Sequence, residues 1–173
     1  MKPIRDRLTQ LGHPVHSVAE LGFNRHPISD MAALLTAYVE HRDLYDVTIV
    51  AHSKGGLIGK SMLIADEQTG AARLRRLISI NTPYAGSPFA RFGPEPWREF
   101  SPTRSVIAEL SAAASTHARI TSLHSSFDQY MPASTTLLDG AENVELPHIG
   151  HFRVLGIAGV IDEVVARVTQ DHG

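Results

Sequence analysis

The chain has no cysteine, which removes disulfides and thiol chemistry from the options without assigning a compartment. It also lacks any apolar run near the ~20 residues that a helical bilayer span requires. The first residues, Met1-Lys2-Pro3-Ile4-Arg5-Asp6, have no hydrophobic centre of a signal peptide, so a cytoplasmic location is the default expectation. Charge of one sign is not in excess. With 16 basic against 18 acidic residues there is no electrostatic case for nucleic acid or an anionic membrane surface. Internal repeats and low-complexity segments are absent too. What remains is a chain of 173 residues, 43% hydrophobic, which is enough for one domain, 1–173, with a substantial core.

The most informative stretch is VTIVAHSKGGLIGK, residues 47–60. The β-branched run Val47-Thr48-Ile49-Val50 reads as a short buried strand, and Leu57, Ile58, Met62 and Ile64 follow at helical spacing. Between them lies Ala51-His52-Ser53-Lys54-Gly55-Gly56. A serine on a sharp strand-to-helix turn, with small residues two before and two after it, is the pattern of a nucleophile elbow. The turn strains the serine backbone, so large side chains at 51 and 55 would collide with neighbouring backbone. Ala51 and Gly55 avoid this, and Gly56 lets the helix approach the sheet. Ser53 then stands at a helix N-terminus, where the Lys54 amide can stabilise a developing oxyanion. The plainer reading is a turn that only starts a helix.

AHSKGG resembles the AHSxGG elbow of a lipase branch of the α/β-hydrolase fold. The resemblance covers nearly the whole chain, about 4–170, and implies the chain order serine, acid, histidine. Arg119-Ile120-Thr121-Ser122-Leu123-His124 reads as a strand, and the Asp128 that follows, shortly before Pro132, resembles the family's acid loop. Gly150-His151, leading into a closing amphipathic helix, resembles its histidine loop. Asp139 competes with Asp128, but Leu137-Leu138-Asp139-Gly140-Ala141 reads better as a turn. His148 competes with His151, which is favoured because Gly150 frees the loop and the helix starts directly after it. As a metal site the two histidines lack further ligands and HExxH spacing, so no metal and no cofactor are expected. His52 points away from its neighbour at such a turn, so it is expected to pack near the strand end rather than act as the base.

Elsewhere helices and strands alternate. A helix is expected over 4–10, ending near Gly12, then a strand over 15–19 and a loop with Asn24 and Pro27. Ser29-Asp30 can cap a helix whose apolar face is Met31, Leu34, Leu35, Tyr38 and Val39. Strands are expected at 77–80 and 143–146, a helix from Ser101-Pro102 to about Ala114, and a closing helix lined by Val164, Val165 and Val168. This order predicts an α/β fold, a mostly parallel sheet flanked by helices.

Residues 81–101 break the regularity. Of six Phe, four Tyr and one Trp in the chain, Tyr84, Phe89, Phe92, Trp97 and Phe100 lie here, among four prolines. One reading is a loop pinned to the surface by aromatic anchors. The other is a short lid or rim, with Tyr84, Phe89, Phe92 and Trp97 as walls for an acyl chain. The start of this segment, NTPYAGSP, resembles the TPHxGSP-like stretch of the same lipases. Those proteins usually carry an earlier strand ending in His-Gly, whose loop gives a first oxyanion amide. Nothing here matches it, so the fold is expected to be N-terminally shortened, lacking a strand between those at 15–19 and 47–50. The loss would expose ladder edges and remove roughly 3 kcal/mol of oxyanion stabilisation. The resemblance implies a serine hydrolase of carboxylic esters, of the lipase or esterase kind, with lipids as the expected substrates and Ser53, Asp128 and His151 as triad. The alternative is a non-catalytic member or fragment that binds acyl ligands or a protein.

Overall fold

The computed structural model describes residues 1–18, 26–90 and 98–170. Four strands, β1 (Val47–His52), β2 (Leu74–Ile80), β3 (Ile120–Phe127) and β4 (Glu142–Ile149), form one sheet in the order β1-β2-β3-β4. Every pair is parallel. Parallel neighbours require a crossover, and helices supply it. α1 (Lys2–Gln10) and α2 (Ile28–His41) precede the sheet, and α3 (Lys54–Thr69) joins β1 to β2. α4 (Ser105–Ala112) and a 3-10 turn (Ala114–Arg119) lead into β3; the one-turn α5 (Ala133–Thr136) lies between β3 and β4. A second 3-10 turn (Arg153–Gly156) and α6 (Ala158–Thr169) complete the chain's described part. The fold class is therefore α/β with a parallel sheet flanked by helices, as the alternation of patterns implies.

The period of two along each strand divides the apolar residues between the faces. Leu77 joins Leu57, Ile58, Met62 and Met31 on the side of α2 and α3, whereas its neighbour Ile78 joins Ile4, Leu8, Val160 and Val164 on the side of α1 and α6. Ile4 and Leu8, one turn apart, are the buried residues of α1, and burying such a side chain stabilises by roughly 1.5–3 kcal/mol.

Several boundaries differ from the sequence reading. Residues 15–18 of the expected strand form no strand; Ala19 and Asn24 lie outside the described residues. β1 pairs only with β2 among the described residues, so Val47 to Val50 are half-buried rather than buried. α2 starts at Ile28, before the Ser29-Asp30 pair, and its amide at Ile28 donates instead to the distant Glu99 carboxylate at 2.6 Å. Leu34 is 43% exposed, and Ala32 takes the buried place on that face. The expected helix from Ser101 begins only at Ser105, because Ser101 and Pro102 sit in a turn. β4 runs past Leu146 through Pro147 to Ile149. It is an edge strand, where proline's missing N–H breaks no ladder bond.

Candidate active site

Because all four strands run the same way, their C-terminal ends share one edge of the sheet, the usual place for ligands in an open α/β sheet. Each end delivers one polar residue: Ser53 directly after β1, Asn81 after β2, Asp128 after β3, and His151 two residues after β4.

Ser53 has φ 54° and ψ −127°, a conformation that L residues rarely adopt. Its amide donates to the Ile80 carbonyl at 2.9 Å, and its carbonyl accepts from Thr82 Oγ1 at 3.0 Å. Of the small residues around it, Gly56 is tightly enclosed, whereas Gly55 does not meet the backbone collision that the sequence pattern predicts. A Cβ on Gly56 would lie 2.0 Å from Thr82 Oγ1, so only glycine fits there, while one on Gly55 would sit 3.5 Å from Ala51 Cβ, an ordinary contact. Lys54 opens α3, so its amide has no carbonyl partner within its own helix and points its dipole toward the serine's surroundings. The Lys54 side chain is buried, paired with Glu99 at 2.6 Å and donating to the His26 carbonyl at 2.7 Å. Glu99 thus ties the elbow to the start of α2, a link between residues far apart in sequence.

His151 Nδ1 lies 2.6 Å from Asp128 Oδ2, and both side chains are buried. The other carboxylate oxygen accepts from the Tyr130 and Met131 amides at 2.8 and 3.0 Å. Burial on its own would raise the Asp128 carboxyl, but hydrogen bonds from His151, Tyr130 and Met131 outweigh it and hold the group below its ordinary value. An ionised carboxylate only accepts, so His151 Nδ1 carries the proton and Nε2 is the basic nitrogen. Tyr130 and Phe152 enclose the ring edge-on, at centroid distances of 5.7 and 4.8 Å.

The structure brings His151 to Asp128 and not to Asp139. The Asp139 backbone carbonyl instead accepts from His117, at 2.6 Å. His148 lies within β4, beside Gly159 at the start of α6. His52, the last residue of β1, packs against the histidine loop. Its Nε2 meets the His151 carbonyl at 2.9 Å, and the two rings pack 4.6 Å apart. That contact puts Ser53's immediate neighbour against His151. Burial first, and the nearby His151 second, push His52 down to about 4, so it stays neutral and donates from Nε2.

Of the candidate pocket residues, Phe89 is exposed. Tyr84 is buried in the core, its hydroxyl donating to Ser79 Oγ at 2.8 Å, so its ring serves packing rather than an open rim. Phe92 and Trp97 lie outside the described residues. Exposed Phe127, Ile149 and Phe152 surround the histidine loop instead. Sequence reasoning missed Asn81, fully buried at the same strand edge. The available signal was its place: a polar residue first after a buried strand, as Ser53 is. Among the described residues no group of side chains could hold a metal ion, and no helix is long and apolar enough to cross a membrane.

No family model and no curated protein matches the chain. Solved structures do. An extracellular α/β-hydrolase from a Paenibacillus species aligns over 98% of this chain and 93% of its own, with a TM-score of 0.61 and 14% identity. A lipase from Bacillus licheniformis aligns over 83% of this chain and 73% of its own, with a TM-score of 0.58 and 14% identity. A meta-cleavage product hydrolase from Pseudomonas fluorescens aligns over 86% and 73%, with a TM-score of 0.61 and 11% identity. The chain has the α/β-hydrolase fold.

Proposed function

We propose that this chain is a serine hydrolase of carboxylic esters, of the lipase or esterase kind, with Ser53 as nucleophile, His151 as base and Asp128 as its orienting acid. The observation that carries the reading is the buried His151–Asp128 pair, at 2.6 Å, on the same sheet edge as a serine held at positive φ. His151 Nε2 takes the Ser53 hydroxyl proton as Oγ attacks the acyl carbon, and Asp128 stabilises the resulting imidazolium. The Lys54 amide stabilises the tetrahedral oxyanion. Collapse of that intermediate breaks the C–O bond to the alcohol, which leaves with the proton from His151. Water then attacks the acyl carbon as His151 takes its proton, the bond to Ser53 Oγ breaks as His151 returns that proton to Oγ, and the acid is released. The apolar side chains Phe127, Ile149 and Phe152, exposed beside the histidine, support an acyl rather than a charged substrate.

A second reading is a chain that keeps the fold and binds acyl groups without turning them over. It is favoured by the fact that Lys54 is the one oxyanion donor the described residues suggest. Both are separated by hydrolysis of a short nitrophenyl ester. Steady turnover by the native chain, lost in a folded Ser53→Ala variant, is the expected result. Equal turnover by the variant would overturn the assignment of the nucleophile.

A further inference from the structure

We propose that His52 and Asn81 are positioning residues that clamp the main chain of His151, so that the strand carrying the nucleophile also fixes the base. This rests on the triad reading above and extends it to two side chains that touch no substrate.

The His151 loop is held at its start by the Gly150 amide, which donates to the Phe127 carbonyl at 2.8 Å, and after its end by Val154, buried in the core. Between these points Gly150 has φ at 100°, and Phe152, directly after the histidine, is 65% exposed. The side chains that anchor its main chain converge on two carbonyls. The His151 carbonyl accepts from His52 Nε2 at 2.9 Å and from Asn81 Nδ2 at 3.3 Å. The Gly150 carbonyl accepts from Ser125 Oγ at 3.3 Å and from Asn81 Nδ2 at 3.5 Å. The Asn81 amide has one orientation that satisfies all its partners. Its Oδ1 accepts the Ser125 amide at 2.8 Å, which turns Nδ2 toward Ser125 Oγ at 2.9 Å and the two carbonyls. Asn81 is wholly buried at φ 48°, a region that asparagine tolerates better than most residues.

The consequence is mechanical. A backbone carbonyl held by side chains from the ends of β1 and β2 cannot shift without moving the elbow or the β2–β3 ladder. His52 and Ser53 are adjacent, so a displacement of His151 is referred directly to the nucleophile. Asp128 grips the ring and the clamp grips the backbone below it. Neither grip alone fixes both the position and the tilt of the imidazole.

The experiment compares His52→Leu, which removes the donor, with His52→Gln, whose amide nitrogen can replace Nε2, and with Asn81→Asp, which replaces a donor by an acceptor. Three readouts are taken on each: thermal melting, kcat and KM on a nitrophenyl ester, and the low-field proton NMR signal of His151 Nδ1–H. Misplacing a catalytic group costs up to about 100-fold, so His52→Leu and Asn81→Asp are expected to lower kcat by about 10- to 100-fold. KM should stay within about twofold, since ground-state binding is untouched. The NMR signal should broaden in both and return, with most of kcat, in His52→Gln. Full kcat and an unchanged signal in folded His52→Leu would overturn the proposal, as would a Gln variant no better than Leu. Should a variant fail to fold, His52→Asn, too short to reach the carbonyl, replaces Leu against Gln. If the native chain has no turnover while the signal responds as described, the clamp stands and the hydrolase reading falls.

Discussion

His151 and His117 are both nearly buried histidines whose Nδ1 lies 2.6 Å from an oxygen, yet they are opposites in electrostatics. At His151 the oxygen belongs to the Asp128 carboxylate, which can stabilise a proton on the ring. At His117 it is the Asp139 backbone carbonyl, and Nε2 is occupied by Lys60 Nζ at 2.6 Å. Burial, reinforced by that lysine and opposed by the carbonyl hydrogen bond, pushes His117 below its ordinary value. Lys60 is itself buried, over the Tyr84 ring at 5.8 Å, and desolvation brings it down to about 8. A buried histidine with a short hydrogen bond is therefore not a site by itself. What distinguishes His151 is an anionic partner and a place at the C-terminal edge of the sheet, the edge that also carries Ser53.

The widest gap between the two regions is expected in Asp128→Asn against Asp139→Asn. Asp128 contributes its carboxylate, and the corresponding change in a Ser-His-Asp hydrolase costs about 10⁴ in kcat. Asp139 meets His117 through its main chain, so its amide variant should keep kcat within about twofold. Steady-state kinetics on one soluble ester decide it, and equal losses would erase the distinction drawn here.

A second gap concerns the glycines of the elbow. Gly56→Ala forces a methyl into Thr82 and disturbs the bond that holds the Ser53 carbonyl, and overpacking of this kind destabilises by about 1–3 kcal/mol. Gly55→Ala meets only Ala51 at contact distance and should melt close to the native chain. Thermal melts in which Gly55→Ala is the worse variant would mean that the elbow packs differently.

The smallest effect is on the Lys60 side. Between about pH 8 and 10.5 the unfolded lysine still binds a proton that the folded one has lost. The unfolded state thus binds more protons, so stability rises with pH across this window. Below about 8 both states are protonated, and the fold carries a buried ammonium. Lys60→Met should flatten that rise without changing kcat. Denaturant midpoints at pH 7, 8, 9 and 10 measure it, and an identical slope in both chains would contradict the assigned cause.

Much of this was legible in the chain, for reasons that can be named. The elbow is a local steric problem, so the positive φ of Ser53 and the close approach at Gly56 are written locally. Asp128 and His151 are paired through the resemblance of their loops, and the structure brings these two side chains together. The clamp was not legible, because Asn81 gains its meaning only when parallel strands bring their ends together. Nor was the start of α2, whose first amide is met by Glu99, 71 residues away. Of the strand expected over 15–19, the described residues 15–18 form none, for a related reason. β-propensity measures the fit to a neighbouring strand, and among the described residues, 15–18 pair with none. Lys60 and His117 carried no signal at all, as a lysine amid helix residues and a histidine before a strand are ordinary on a surface.

The central claim is that Ser53 is an activated nucleophile, and a fluorophosphonate tests it without assuming a substrate. The native chain should be labelled once, on the peptide that carries Ser53, with labelling lost in Ser53→Ala and much slowed in Asp128→Asn. A folded native chain that stays unlabelled, or one labelled at another serine, would contradict it.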